Sequence, residues 1–249
     1  MRAESAPHWQ KAATVPDLGP EEIHLWQFSL QTAQACIDRL RPLLSPAEIS
    51  RAERLLRPAD GLRFIVGRAI LRQLLGRYLA IEPDRLELSS LPQGKPVLAQ
   101  PRLSFNLSHS GDLALLAIAR SVTVGVDLEL IRSELDWSLL ASRYFSSEEQ
   151  QALRNLRPEH QTEAFFTIWT RKEAWLKAIG SGFHLPLDTF EVSAPPAPAA
   201  LLRHQGNPAA PDEWHLEAIP LHANYCATLA YLAPQRKVQL LTYNPAATK

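Results

Sequence analysis

Cysteine is nearly absent from this 249-residue chain: Cys36 and Cys226 are the only two, in unrelated contexts and without C-x-x-C spacing or a histidine-rich neighbourhood. That excludes a disulfide framework and a zinc cluster, and makes a reducing, cytoplasmic setting the expectation. Excess charge of either sign is also missing, since Lys plus Arg and Asp plus Glu both number 26. Global electrostatics therefore gives no reason to expect nucleic acid or an anionic membrane as partner, and no nucleic-acid reader motif is present. No apolar run reaches the length of a membrane span, and Glu4, Pro7 and His8 stand where a secretory leader needs basic and then apolar residues. What the chain does have is 46% hydrophobic residues, enough for a real core in one large domain or two small ones.

The Ala- and Pro-rich residues 1–20 read as a flexible arm. Residues 22–28 largely alternate polar and apolar, which predicts a half-buried strand. Ser45 followed by Pro46 predicts an N-cap and a helix to residue 56, and a second helix is expected over 60–80. Short strands follow at 86–88, 103–107 and 113–119, with turns at Gly94 and Gly111. The order then recurs, with a strand at 122–130, helices at 137–144, 147–156 and 160–179, and strands at 189–192, 214–219 and 225–232. Residues 194–211, rich in Pro and Ala, read as a loop. No residue-level repeat is visible, but the recurring order predicts an α+β fold of two similar halves, 21–120 and 121–249, with a ligand cleft between them.

Chemistry concentrates in the second half. On a strand, Asp127 and Glu129 point to one face while Val126 and Leu128 point to the other, so the two carboxylates form a pronged site for a hard cation. On a helix, Glu173 and Lys177 stack one turn apart and reach the same ligand from two depths. Three carboxylates and a lysine suit Mg²⁺ shared with a substrate phosphate. Each piece alone is ordinary: an Asp-x-Glu at a strand end is usually solvated, and Glu-x-x-x-Lys is usually a surface ion pair. Gly125 leaves room either for a bulge or for close approach of a cofactor to the backbone.

Gly125-Val126-Asp127-Leu128-Glu129 followed by Trp169-Thr170-Arg171-Lys172-Glu173-Ala174-Trp175-Leu176-Lys177 resembles the paired signature of the Sfp-type 4′-phosphopantetheinyl transferases. Gly94-Lys95-Pro96 and Phe105-Asn106-Leu107-Ser108-His109-Ser110-Gly111-Asp112 agree with it, so four blocks in order carry the resemblance between about Arg63 and Gly182. The resemblance implies a pseudo-twofold α+β monomer that moves the phosphopantetheine arm of coenzyme A onto a serine of an apo acyl or peptidyl carrier protein and releases 3′,5′-ADP. It implies Asp127, Glu129 and Glu173 as ligands of Mg²⁺, with Mn²⁺ able to substitute, and Glu173 or a water as general base. It places Lys177 on the pyrophosphate, His109 with Ser108 against a coenzyme A phosphate, Arg63 on the 3′-phosphate, and Gly94, Lys95 and Pro96 along the adenine pocket. Trp169 reads as core packing. Arg143, Tyr144 and Phe145 read either as a carrier-docking patch or as a helix end packed on the core. Two other classes use the same residues: a Mg²⁺-dependent phosphoesterase acting on a nucleotide-like substrate, and a module that binds coenzyme A or a carrier without turnover.

Overall fold

The computed structural model describes residues 8–12, 14–31, 34–91, 94–100, 102–182, 185–222 and 224–244. The first half runs β1 (Gln10–Lys11), β2 (Glu22–Ser29), α1 (Gln34–Leu40), α2 (Pro46–Glu53) and the long α3 (Pro58–Leu79). It continues with a small hairpin, β3 (Leu88–Ser90) and β4 (Pro96–Leu98), then β5 (Ser104–Ser110) and β6 (Leu113–Ala119). The second half runs β7 (Val124–Leu130), α4 (Trp137–Tyr144), α5 (Ser147–Arg154), the long α6 (Pro158–Ile179), β8 (Phe190–Val192), β9 (Leu201–His204), α7 (Ala210–Glu213), β10 (Trp214–Ala218) and β11 (Tyr225–Leu232), and β12 (Lys237–Thr242) follows. The fold is α+β, as expected, and the expected order of strand, helices and meander is present twice.

Five strands form one sheet in the order β1-β12-β2-β6-β5, and three form another in the order β10-β11-β7. Helix α3 covers the first sheet through Ile65, Val66, Ala69, Ile70 and Leu74, which pack on Trp26, Phe28, Phe105 and Leu116. Helix α6 sits in the second core with Phe165, Phe166, Ile168 and Trp175. A third cluster joins the halves, bringing Ile23, Leu25, Leu115 and Ala117 against Val124, Val126, Leu128 and Leu229. Strand β2 is therefore covered on both faces, and even His24 is fully buried. The sequence pattern predicted only half burial, because a strand's own residues do not show that a second layer will cover its polar face.

A residue-level echo emerges once the helices are laid side by side. Ser45 caps α2 and Ser146 caps α5, and in both cases the side chain accepts the N3 amide while the N3 glutamate, Glu48 or Glu149, takes the serine N–H. Both long helices begin with proline at N1, Pro58 and Pro158. Each capping glutamate then reaches into its long helix: Glu48 accepts from Arg72 Nε at 2.8 Å, and Glu149 from Lys172 Nζ at 2.7 Å. Arg72 and Lys172 both stand fourteen residues after the opening proline. The same spacing sets Gln73 and Arg77 opposite Glu173 and Lys177. Matching the end rungs of the antiparallel pairs β2–β6 and β7–β11, Ser29 with Leu113 and Leu130 with Tyr225, sets Trp26 and Phe28 opposite Asp127 and Glu129. Only the second half carries the carboxylates.

Several expectations need correction. Within the described part of the arm, Gln10 and Lys11 pair in parallel with Leu241 and Thr242, and Leu18 is buried, so this stretch is docked; residues 1–7 lie outside the described residues. Strand β12 was not anticipated, and it inserts between β1 and β2, so the last segment of the chain belongs to the sheet of the first half. Residues 194–211 hold β9, paired with β8, and the start of α7. Helix α2 stops at Glu53, ahead of the exposed Leu55 and Leu56. Among the described residues no helix is long and apolar enough to cross a membrane.

Candidate active site

Strand β7 and helix α6 meet at Gly125. A Cβ there would overlap the Ala174 carbonyl oxygen and the Ala178 amide nitrogen and lie 2.8 Å from the Ala178 Cα. The glycine is neither a bulge nor an opening for a cofactor; it lets the helix backbone lie against the strand. Thr170 on α6 and Thr228 on β11 share a hydrogen bond of 3.1 Å, which holds the helix on the same sheet. Close contact between α6 and β7 brings Glu173 and Lys177 over Asp127 and Glu129.

The first half reaches this site through alternate residues of β5. Asn106 Oδ1 accepts the Val126 amide at 2.8 Å, and Ser108 Oγ accepts the Leu128 amide at 3.3 Å. Ser108 Oγ donates to Asp127 Oδ1 at 3.1 Å, and Ser110 Oγ donates to Glu129 Oε2 at 2.8 Å. Side chains thus replace a backbone ladder between the two sheets. Lys177 Nζ completes the knot, 2.5 Å from Asp127 Oδ1 and 2.9 Å from Ser108 Oγ. The helical ion pair between Glu173 and Lys177 is not formed, because Lys177 turns to the strand carboxylate.

Burial, reinforced by the charges of Asp127 and Glu129, pushes the Glu173 carboxyl up to about 7. Burial and Asp127 also raise Glu129, against the pull of Ser110, Arg132 and Lys177. Asp127 Oδ2 and Glu173 Oε1 are buried with no hydrogen-bond partner. Crowded carboxylates with orphaned oxygens form the donor set of a hard cation, so the three residues fit Mg²⁺ chemically. Among the described residues no three such groups are already gathered at metal-holding distances, and Lys177 holds the nearer oxygen of Asp127.

Around this centre lie the other expected residues. His109 is exposed, yet the atoms crowding its ring, with Lys177 and Arg63 beside it, keep its pKa below the ordinary value. Arg63 binds Asp112 Oδ1 through Nε at 3.0 Å and Nη2 at 2.9 Å, and Asp60 at 3.2 Å, so a phosphate must compete with two carboxylates for it. Gly94, with φ of 85°, makes the turn before Lys95 and Pro96. These three residues line a cleft of about 210 Å³ together with Asn106, Leu107, Leu176, Lys177, Gly180 and Gly182. The fold thus brings all of the sequence-derived site residues to one seam, with Arg63 at its outer end. Phe145 is buried against Phe165 and Tyr144 packs on Trp169, so of the three-residue patch only Arg143 faces outward. Trp169 is core packing, as expected.

A family model described as 4′-phosphopantetheinyl transferase superfamily matches residues 123–230, and one described as 4′-phosphopantetheinyl transferase, N-terminal, matches residues 26–121. The chain is 40% identical over 187 residues to 4′-phosphopantetheinyl transferase HetI of Nostoc sp., covering 74% of this chain and 78% of that one. It is 30% identical over 229 residues to 4′-phosphopantetheinyl transferase psf-1 of Bacillus pumilus, covering 91% of each. It is 30% identical over 157 residues to 4′-phosphopantetheinyl transferase Sfp of Bacillus subtilis, covering 62% of this chain and 68% of that one. The chain belongs to the 4′-phosphopantetheinyl transferase superfamily.

For a transferase of this family, the sequence reading overlooked the residues that hold the carboxylates in place. Ser110 and Asn106 do such work, and the Lys95 ammonium meets backbone carbonyls of α6 and β7. The first two had a visible signal: Asn106, Ser108 and Ser110 alternate with Phe105, Leu107 and His109, so one face of β5 is polar. That the face meets β7 and not solvent is decided by packing between the halves.

Proposed function

We propose that this chain transfers the 4′-phosphopantetheine arm of coenzyme A to a serine hydroxyl of an apo acyl or peptidyl carrier protein. The observation that carries the reading is the convergence of Asp127, Glu129, Glu173 and Lys177 at the seam lined by Ser108 and His109, in a chain of this family. The serine oxygen attacks the phosphorus next to the pantetheine arm. A new P–O bond forms, the bond to the bridging oxygen of the diphosphate breaks, and 3′,5′-ADP leaves. Asp127, Glu129 and Glu173 would hold Mg²⁺, which would neutralise charge on the diphosphate. Lys177 sits beside Asp127, where its ammonium stabilises negative charge developing on the leaving group. His109 and Arg63 flank the seam as donors to phosphate oxygens, and the cleft beside Gly94, Lys95 and Pro96 has room for a planar base. Glu173, or a water beside it, takes the serine proton. The exposed Leu139 and Arg143 of α4 suit an acidic carrier with an apolar helix. Action as a cytoplasmic monomer belongs to the same reading.

Membership in a family named for group transfer favours this over hydrolysis or simple binding. The test is intact-mass spectrometry of an apo carrier protein incubated with this protein, coenzyme A and Mg²⁺, with a parallel EDTA sample. A metal-dependent gain of one phosphopantetheine supports the transfer. Coenzyme A hydrolysed or bound without a mass gain, across several carrier classes, overturns it.

A further inference from the structure

The Lys95 side chain does something that its place in a hairpin does not suggest. Its ammonium donates to the Lys177 carbonyl at 2.6 Å, to the Ala178 carbonyl at 3.2 Å and to the Val124 carbonyl at 3.4 Å. An ammonium has three protons, and three acceptors take them. Two of those acceptors are in the last turn of α6, where carbonyls have no partner inside the helix and the helix dipole favours a cation. The third begins β7. One side chain from the first half thus ties together the two elements that carry every carboxylate of the site. The surrounding hairpin holds the lysine against the helix end. The Leu91 amide donates to the Lys95 carbonyl at 2.9 Å, and Leu91 and the Lys95 stem lie over Gly180, which ends α6 with φ of 72°. Burial pushes the Lys95 ammonium down to about 8, a cost accepted where backbone carbonyls hold it.

We propose that Lys95 is a positioning residue for transfer: its ammonium clamps the end of α6 to the start of β7 and so keeps Glu173 and Lys177 in register with Asp127 and Glu129. Residues 94–96 line the cleft, and the Lys95 ammonium reaches the helix terminus. Kinetically this rests on the proposed transferase function; structurally it stands without it.

The test uses Lys95→Met in the full chain, with two readouts. Amide hydrogen exchange at residues 177–181 and 124–126 is expected to speed up about tenfold or more, while exchange within α3 stays as in the wild type. In transfer to an apo carrier, kcat is expected to fall on the order of tenfold to a hundredfold. KM is expected to shift less than about threefold, equally for coenzyme A and for an analogue whose adenine carries an etheno bridge on its Watson–Crick edge. A rise in KM for coenzyme A alone, with kcat kept, would make Lys95 a reader of the base and overturn the proposal. Unchanged exchange at the end of α6 would overturn it as well, whatever the kinetics. If Lys95→Met does not fold, Lys95→Gln, which keeps a donor on a shorter stem, is measured in the same way and is expected to show the same pattern at smaller amplitude. A wild type without transfer activity would remove the function proposed above and leave the exchange result to decide the clamp.

Discussion

Asp127 has one carboxylate oxygen bonded to Lys177 and Ser108 and another that is buried without a partner. Asp127→Asn keeps the shape and removes the charge, so Lys177 loses its counter-ion and the proposed cation site loses a carboxylate. Transfer measured by carrier mass gain is expected to fall about a thousandfold, and turnover near the wild-type rate would take Asp127 out of the metal site. Glu173 allows a second check in protein stripped with EDTA. Its folded pKa of about 7 lies above the ordinary 4.5, so between those values the folded state holds a proton that the unfolded state has released. Its contribution is fully present below about pH 4.5 and is lost as pH rises through about 7, on the order of 1–3 kcal/mol in all. Urea midpoints of the metal-free protein should therefore fall across that window, and Glu173→Gln should flatten that part of the slope; an unchanged slope would mean that Glu173 is not the titrating group. These charged residues were legible in the sequence because their types and spacing state the chemistry directly. Lys95 was legible as a turn residue and, through the resemblance, as part of the adenine pocket, but not as a helix cap, since the carbonyls it meets are 82 and 83 positions away.

At the level of elements, the contact of α6 with β7 depends on one missing side chain. Gly125→Ala places a methyl inside the helix backbone, where no flexible side chain can give way. The expected cost is about 3 kcal/mol or more, read as a lower urea midpoint, with Glu173 displaced and transfer lost together. A stable, active Gly125→Ala protein would show that the helix can ride further out. Helices α4, α5 and α6 and strands β6, β7, β10 and β11 could be read from the sequence, because each has its own periodicity and its own stop signals. Strands β9 and β12 could not: Lys237–Thr242 carries a weak pattern, and its status as a strand comes from pairing with Glu22–Gln27 more than two hundred residues earlier. The end of α2 also differs, at Glu53 where the sequence predicts residue 56.

The whole molecule closes through that last strand. β12 lies between β1 and β2, and Leu241 and Tyr243 belong to the core under α3. A chain ending at Arg236 loses those two side chains, worth about 1.5–3 kcal/mol each, and bares the ladder edge of β2. Against a total stability of about 5–15 kcal/mol, it is expected to be aggregated or unfolded by circular dichroism and gel filtration. A native-like spectrum would show that the first half folds without its closing strand. The two halves share capping boxes, opening prolines and a glutamate-to-cation pair at matching positions, yet Trp26, Phe28 and Gln73 stand where the second half has Asp127, Glu129 and Glu173. One half was left to build core and the other to hold charge. The sequence alone determined the family, the order of elements and the charged residues, because these depend on residue type, local spacing and short motifs. Tertiary structure decided that Ser108, Ser110 and Asn106 hold β7, that Gly125 admits a helix, that Lys95 caps it and that β12 crosses back to the first sheet. Each of those depends on which distant groups meet, and the spacing along a chain does not state that.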